Sequence, residues 1–282
     1  MKPLLSNIYK QIIPKLYGTG LSRIKLLDRI NRKIRAAVKP ETIDFYGNTI
    51  FLDNYDMNQV FVHGESGKDS VEIAFIKNKI NERDFVIDVG ANIGLYTVMF
   101  SNWVGKDGHV WSFEPAQDNC KLIKKTINVN KMDNVKIIQK AVTNFTGETF
   151  LNIDGDCSSY HISEKSTKTV PIKCVKLDDC NDKKIDFVKI DAEGQELNVL
   201  KGMPKLLQQP NIKLMFEFEP ETFSDENNPI EILEILEQNN FFFTDLARKG
   251  GIKNITKKEL LTRTEKRPEL YKNVYCEKLT KN

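Results

Sequence analysis

The chain has 282 residues, 40% of them hydrophobic, and a formal net charge of +3 at pH 7, which describes an ordinary soluble protein with room for one large α/β domain. No run of about 18 apolar residues occurs, and the N-terminus lacks the pattern of a secretion signal, so we expect a cytoplasmic protein. The five cysteines include no C-x-x-C pair, which argues against a disulfide framework and a structural zinc site and favours reduced thiols.

Residues 1–40 differ in charge from the rest of the chain. They contain ten Lys and Arg residues and a single acid, Asp28, so this segment carries +9 and the remainder carries −6. Apolar residues recur at helical spacing, at Leu4, Leu5, Ile8, Ile12 and Leu16 and again at Ile24, Leu27, Ile30, Ile34 and Val38. The pattern predicts two basic amphipathic helices in an N-terminal extension. Their apolar faces could pack on the rest of the protein, lie on an anionic membrane surface or take part in binding nucleic acid.

The next predicted elements are a small hairpin and a helix. Residues 43–62 alternate between apolar and polar side chains around turn residues, which predicts the hairpin. Residues 71–80 have the composition of a helix, and we expect its carboxylate Glu72 to face solvent.

A buried strand followed by a glycine turn comes next. Phe85–Val89 is apolar except for Asp88, and Gly90, Asn92 and Gly94 follow at alternate positions before an apolar helix start. Glycine lacks a Cβ and accepts positive φ, so such a turn lets the backbone come close to a nucleotide-like ligand. A purely structural turn is the alternative.

The second strand, His109–Phe113, ends in the carboxylate of Glu114, 26 residues after Asp88. An acidic residue at this place in a βαβ unit can hold both ribose hydroxyls of an adenosine group. A dinucleotide fold would instead show G-x-G-x-x-G, and the corresponding positions here are Asn92 and Leu95. The spacing therefore disfavours a dinucleotide.

Two further strands and a polar stretch follow. Residues 135–139 and 149–153 predict strands, and residues 154–169 predict a loop. A loop of this length is a candidate source of substrate contacts, with Tyr160 and His161 as the side chains that could reach a substrate. His161 could act as a general base or could simply be exposed to solvent.

The fourth core strand, residues 185–190, leads into two carboxylates, Asp191 and Glu193. Ligands of open α/β sheets bind at this edge, so these carboxylates could remove a proton from a hydroxyl or hold a divalent metal. Alternatively, Asp191 caps the following helix and Glu193 favours the helix dipole. Lys189 could anchor an acidic substrate group, lower the pKa of a hydroxyl, or be a plain strand-end cation.

The fifth strand, residues 212–217, also ends in acids. Glu217 and Glu219 share one side-chain direction in an extended strand, and Glu217 is the candidate to face an acceptor site. Residues 249–267 are basic and contain glycine, and we expect a loop there. The remaining predicted elements are helices over residues 197–207 and 230–236 and strands over residues 241–244 and 274–277.

Three motifs occur in order: D-V-G-A-N-I-G at residues 88–94, F-E-P at 113–115 and K-I-D-A-E-G at 189–194. They resemble the FkbM family of S-adenosylmethionine-dependent methyltransferases. The resemblance implies a Rossmann-like class I methyltransferase fold of the α/β class: a seven-stranded, mostly parallel sheet with helices on both faces and an antiparallel last strand. It also implies a methyltransferase domain over residues 41–282, with its core at 71–223, after the extension 1–40.

The resemblance further implies the roles of particular residues. S-adenosylmethionine would be held by Asp88, Gly90, Ala91, Asn92, Gly94, Glu114, Ala141, Val142 and Asp191. The candidate bases are Asp191, Glu193 and Glu217. The predicted helix that carries Glu72 leans over the cofactor in this family, which gives Glu72 a second reading as a residue of the site.

The implied reaction is O-methylation of a hydroxyl on a sugar, glycolipid or secondary metabolite, so the expected partner is a small-molecule or glycan acceptor. The N/D-P-P-Y/F signature of adenine-amino methyltransferases is absent, which disfavours a nucleic acid acceptor. An N-directed or protein-directed methyltransferase, or a non-catalytic cofactor-binding module at a membrane, are the alternatives. A divalent metal stays open, and peripheral membrane contact through residues 1–40 accompanies the cytoplasmic expectation.

Overall fold

The computed structural model describes residues 5–6, 8–9, 11–12, 30–31, 33–34, 37–52, 70–153, 160–180, 183–219, 228–246, 252–266 and 273–278. Its strands are β1 (Thr42–Phe45), β2 (Asn48–Phe51), β3 (Phe85–Val89), β4 (His109–Phe113), β5 (Val135–Ile138), β6 (Ala141–Val142), β7 (Gly147–Asn152), β8 (His161–Ser163), β9 (Thr169–Val175), β10 (Phe187–Ile190), β11 (Lys213–Glu217), β12 (Phe241–Asp245), β13 (Lys253–Ile255) and β14 (Asn273–Lys278). Its helices are α1 (Ser70–Lys77), α2 (Leu95–Val104), α3 (Gln117–Val129), α4 (Glu196–Lys201), α5 (Pro204–Gln208), α6 (Asn228–Gln238) and α7 (Lys257–Lys266).

The main sheet has the strand order β13-β12-β14-β11-β10-β3-β4-β5. Strands β5, β4, β3, β10 and β11 are parallel, whereas β14 is antiparallel to both β11 and β12. The predicted class I sheet with its antiparallel last strand is confirmed, and β13 adds an eighth strand at one edge. The expected loop over residues 249–267 is wrong for the part that the structure describes, because β13 pairs with β12 and α7 follows it.

Helices cover both faces of this sheet. Residues of α1, α2 and the β1–β2 hairpin pack against one face, and α4, α5, α6 and α7 pack against the other. Strand alternation divides β3 between the two layers: Phe85, Ile87 and Val89 face α4–α7, and Val86 faces α1 and α2. Asp88 therefore points, like Val86, into the layer of α1 and α2.

The two predicted N-terminal helices fall partly on described residues. Positions 5–6, 8–9 and 11–12 and positions 30–31, 33–34 and 37–38 are helical. Tyr9 and Val38 are buried in the same core as α1 and α2, and the Tyr9 hydroxyl donates to Asn31 Oδ1 at 2.8 Å. Within the described ranges, no helix is both long and apolar enough to cross a membrane.

A second sheet lies after β5, with the order β6-β9-β7-β8. Its strand β8 corrects the prediction of a continuous loop over residues 154–169, because residues 161–163 pair antiparallel with β7. Residues 154–159 lie outside the described part. Polar composition suggested a loop here, but Ile162 is partly buried against the small core of this sheet, which favours an edge strand.

The predicted single helix over residues 197–207 is also wrong, because α4 ends at Lys201 and α5 begins at Pro204. Gly202 lies between them, and a Cβ there would sit 2.1 Å from the carbonyl oxygen of Thr143. The close approach of the two chain segments explains the glycine, and Pro204, which has no amide hydrogen to continue a helix, is the first residue of α5. The four described cysteines, Cys120, Cys174, Cys180 and Cys276, are free thiols, and Cys157 lies outside the described ranges.

Gly90 lies in the turn after β3 and packs against the turn after the neighbouring strand β10. Its φ is +72°, and a Cβ at this position would lie 1.7 Å from the backbone oxygen of Asp191. Gly47 has a similar φ of +74°, but no atom lies within 4 Å of the position that its Cβ would take. An alanine at Gly47 therefore introduces backbone strain without steric overlap, whereas an alanine at Gly90 introduces both.

We expect Gly47→Ala to lower the free energy of unfolding by about 1–2 kcal/mol, the cost of a left-handed residue.

Gly90→Ala should lose this amount and about 1–3 kcal/mol more, because the turn after β10 must move away. Chemical denaturation of the two variants measures the difference. Equal losses would mean that the contact between the two turns is not a tight constraint.

Candidate cofactor and acceptor site

The glycine turn after β3 has the shape that the sequence predicted. Gly90, Asn92 and Gly94 all have positive φ, at 72°, 51° and 90°. The amides of Gly90 and Ala91 donate to the carbonyl oxygen of Phe113, at 3.0 and 3.1 Å. The turn is therefore fastened to the end of β4, beside Glu114.

Glu114 is buried at the carboxyl end of β4, and its two oxygens hold the surrounding backbone. Oε2 accepts from the amide of Asn92 at 2.8 Å, and Oε1 accepts from the amide of Ala116 at 2.9 Å and from Asn119 Nδ2 at 3.3 Å. Burial raises the pKa of this carboxyl to about 7, against the effect of these hydrogen bonds. Glu114 thus connects the glycine turn to the start of α3.

These residues fit the adenosine part of S-adenosylmethionine. Each carboxylate oxygen has two lone pairs, and among the described residues Oε2 of Glu114 accepts one hydrogen bond, from the amide of Asn92, which leaves acceptor capacity for ribose hydroxyls. The neighbouring turn is built from Gly90, Ala91, Asn92 and Gly94, and its left-handed φ values at Gly90, Asn92 and Gly94 turn the chain sharply beside Glu114. Glu114 and these four turn residues would hold the cofactor.

Asp88 and Lys189 form a buried pair on adjacent strands. They are direct partners in the parallel register of β3 and β10, and both side chains are nearly inaccessible. Lys189 Nζ lies 3.6 Å from Asp88 Oδ1 and 3.0 Å from Asp191 Oδ2. The hydroxyl of Thr97 donates to Asp88 Oδ2 at 2.7 Å. Lys189 is therefore not a plain strand-end cation, because its buried side chain lies between the carboxylates of Asp88 and Asp191.

The charge of Lys189 is maintained by its neighbours. Burial alone would lower the pKa of Lys189, but Asp191 and Asp88 outweigh burial and hold the pKa above its ordinary value. Burial raises the pKa of Asp88, and the cation of Lys189 acts against that rise. The ring of Tyr96 lies 4.8 Å from Lys189 Nζ and adds a cation–π contact.

Glu72 closes this cluster from α1, and the expectation that it faces solvent is wrong. It is 7% exposed, its Oε1 accepts from the Tyr96 hydroxyl at 2.5 Å, and its Oε2 accepts from Asn273 Nδ2 at 2.9 Å. Burial together with the negative charge of Glu72 raises the pKa of Tyr96 well above its usual value, so the phenol stays protonated. The sequence shows only an acid at the start of a predicted helix. It does not reveal the burial of Glu72, because the residues that contact its carboxylate are 24 and 201 positions away.

The turn after β10 positions Asp191 and Glu193 without the capping role that was one alternative for Asp191. The residue preceding α4 is Gln195, which makes no side-chain cap, and Glu196 Oε1 instead accepts from the amide of Ala192 at 2.9 Å. Glu193 has a left-handed φ of 49°. Burial, followed by repulsion from Asp191, raises the pKa of Glu193 to about 8, and burial raises that of Glu196 to about 7.

Glu217 occupies the end of β11, at the same edge. It is buried, it pairs in register with Asn273 of β14, and its charge contributes to the high pKa of Lys189. Glu219 lies two residues further and is partly exposed. The structure thus brings Asp191 and Glu217 to one edge around Lys189, with Glu193 in the adjoining turn.

Other candidates lie on the second sheet. Ala141 and Val142 are buried in β6, which follows β5 after two intervening residues. Strand β6 pairs with β9 of the second sheet. Tyr160 is partly buried against the small core, and His161 is exposed on β8, paired with Asn152. In the part of the chain that the structure describes, no group of three or more His, Cys, Asp or Glu residues is arranged to hold a metal ion.

The strand order, the glycine turn and the acid after β4 define a class I methyltransferase domain. The family model described as "Methyltransferase FkbM domain" matches residues 88–243, more than half of the chain. The chain therefore belongs to the FkbM methyltransferase family, a family of S-adenosylmethionine-dependent enzymes. The resemblance found from the three motifs is confirmed.

Similar proteins include a curated relative and solved structures. The chain is 26% identical over 148 residues to hexuronic acid methyltransferase AglP of Haloferax volcanii. The matched region covers 51% of this chain and 59% of that protein. It is similar to methyltransferase FkbM of Methylobacillus flagellatus, with 13% identity, a TM-score of 0.46, and coverage of 91% of this chain and 60% of that one. A SAM-dependent O-methyltransferase of Thermotoga maritima is 13% identical, with a TM-score of 0.43 and coverage of 91% and 82%. The match spans less than two thirds of the length of the curated relatives, 59% of one and 35% of another.

The contacts of Lys189 lead to a prediction about stability. Lys189→Met would leave Asp88 and Asp191 without their cation, and we expect the free energy of unfolding to fall by about 3–5 kcal/mol, the cost of breaking a buried pair. Lys184 is a matched control, since it also pairs with the aspartate two residues on, Asp186, but its side chain is 61% exposed. Lys184→Met should change stability by no more than about 1 kcal/mol.

Denaturant unfolding at constant pH compares the two lysine variants. Similar small losses in both would show that the buried cation does not hold the carboxylates together.

Proposed function

We propose that this chain transfers the methyl group of S-adenosylmethionine to the oxygen of a neutral hydroxyl, on a sugar, glycolipid or secondary metabolite. The observation that carries this proposal is the pairing of two features at one sheet edge. The glycine turn and Glu114 fit the donor, and the carboxylates of Asp191 and Glu217 lie at the ends of the next two strands along the sheet.

On the donor side, Glu114 would accept hydrogen bonds from the ribose hydroxyls, and the turn from Gly90 to Gly94 would lie along the adenosyl group. When bound, the cofactor supplies a methyl group on a positively charged sulfur. Asp88 and Asp191 contribute negative charge near that cation, and Lys189 limits how much of it remains uncompensated. Ala141 and Val142 are proposed to lie beside the adenine.

On the acceptor side, one carboxylate must take the hydroxyl proton. As the new O–CH₃ bond forms and the S–CH₃ bond breaks, that proton passes to Asp191 or Glu217, so charge and atoms balance. Lys189 is a buried cation beside these groups, with its Nζ 3.0 Å from Asp191 Oδ2. Glu193 is the third candidate base, and its pKa of about 8 means that it is mostly protonated at neutral pH.

The charge of this edge supports a neutral acceptor rather than an anionic one. The relative from Haloferax volcanii is named for a hexuronic acid, which supports a sugar as the acceptor class. Here, however, the carboxylates of Asp88, Asp191 and Glu217 lie around one buried cation, Lys189, and like charges at close range disfavour a carboxylate guest. The free thiols of the four described cysteines support a cytoplasmic location for the reaction.

The pKa of Glu114 yields a prediction for cofactor binding. Its carboxyl is half protonated near pH 7, and the ionised form is the better acceptor for ribose hydroxyls. We expect calorimetric titration to show S-adenosylmethionine binding about tenfold weaker at pH 6 than at pH 8, as the ionised fraction falls. Glu114→Gln should lose about 1–3 kcal/mol of binding free energy at pH 8 and show a flat pH dependence.

Glu196→Gln is the control for this titration, because its pKa is also about 7 but its oxygen holds the amide of Ala192 instead. That variant should keep the wild-type pH dependence. Absence of binding in the wild type at every pH, with or without magnesium, would remove the basis of the methyltransferase proposal.

Transfer assays with labelled cofactor test the acceptor and the base. We expect turnover with neutral glycosides or glycolipids and little with uronic acids, and Glu217→Gln should lower kcat by about 10²–10⁴ with cofactor affinity near the wild-type value. Glu219→Gln, a neighbouring and more exposed acid, should retain most activity. Methylation of amines or proteins instead would favour the N-directed alternative, and cofactor binding with no turnover on any acceptor would favour a non-catalytic module.

A further inference from the structure

The N-terminal helical residues present their aliphatic side chains outward. Leu5, Ile8 and Ile12 are 46%, 44% and 50% exposed, and Ile30 and Ile34 are 45% and 48% exposed. Their spacing of three or four residues places each set along one side of a helix. A helix that merely packs on a core would bury such a stripe.

The inner sides of the same segments are already in contact with the protein. Ser6 and Tyr9 are buried beside the exposed set of the first segment, and Val38 is buried in the second. Tyr9 and Val38 belong to the core that contains α1 and α2, and the hydrogen bond from Tyr9 to Asn31 ties the two segments together. The five exposed aliphatic residues are therefore on the side that remains after docking. We call them the N-terminal apolar surface.

The charge of these segments identifies the partner. Residues 1–40 carry +9, whereas the rest of the chain carries −6. Aliphatic side chains beside a strong excess of Lys and Arg are the combination that binds the interface of an anionic bilayer: the apolar groups enter the acyl boundary and the cations meet lipid phosphates. An exposed apolar patch of this kind marks an interaction site more often than it occurs by chance.

We infer that the N-terminal apolar surface and the basic charge of residues 1–40 dock this protein on an anionic membrane surface. The inference does not depend on methyl transfer, since it concerns residues outside the cofactor and acceptor site. It selects among the three roles that the sequence left open: the inner side of these helices packs on the protein, and the outer side binds lipid.

Vesicle co-sedimentation of the full chain tests this inference. We expect binding to vesicles of phosphatidylglycerol and phosphatidylcholine at low salt, weak binding to pure phosphatidylcholine, and release in 1 M NaCl, where the Debye length is about 3 Å. Ile8→Ser/Ile12→Ser/Ile30→Ser/Ile34→Ser should lower the partition coefficient at least about tenfold, because four aliphatic groups no longer enter the acyl boundary.

Val129→Ser/Ile230→Ser/Phe242→Ser is the matched control, since these residues are 53%, 41% and 50% exposed but lie on α3, α6 and β12. It should bind vesicles as the wild type does. Both variants alter exposed positions, so circular dichroism and cofactor titration should match the wild type, which keeps a folding defect distinct from a lipid defect.

Several outcomes would overturn the inference. A wild-type protein that ignores anionic vesicles at low salt contradicts it directly, and equal binding by the two variants would show that the N-terminal apolar surface is not responsible. Salt-independent binding to neutral vesicles would remove the role of charge. A wild type that is dimeric in sedimentation while the Ile→Ser variant is monomeric would assign the surface to contacts between copies of the chain, and RNA that displaces vesicles would assign the charge to nucleic acid.

Discussion

The buried cation of Lys189 holds the carboxyl edge of the main sheet together. Three acids from separate parts of the chain converge there: Asp88 from β3, Asp191 from the turn after β10, and Glu217 from the end of β11. Burial raises the pKa of Asp88, and the positive charge of Lys189 acts against that rise. The lysine compensates part of the negative charge that these acids bring together, and the acidity of this edge suits the proposed sulfonium donor.

The same place joins the two halves of the site mechanically. The turn after β3, which would hold the donor, touches the backbone of Asp191 so closely that Gly90 cannot carry a side chain. Glu114 fixes the other side of that turn through the amide of Asn92. Because the turn after β3 contacts both the end of β4 and the turn after β10, the sheet itself sets the distance between the proposed donor and acceptor groups.

Local patterns carried most of what could be predicted from the sequence. Strand β3 with Asp88, the positive-φ turn and Glu114 follow one another within thirty residues, and short-range geometry determines how they fold. Contacts across long separations were beyond such reasoning. Glu72 is buried only because Tyr96 and Asn273 reach it from distant elements, and β8 is a strand only because β7 offers an edge, so a polar composition suggested solvent and a loop instead.

The N-terminal segment shows the same limit in another form. The helical spacing of Leu5, Ile8 and Ile12 predicts an apolar stripe but does not say whether the stripe faces the protein or solvent. The exposed fractions of these side chains show that it faces solvent. The net charge of +3 conceals a basic segment and an acidic remainder. These charges suit different partners, because the acidic edge favours a cationic cofactor while the basic helices favour anionic lipid.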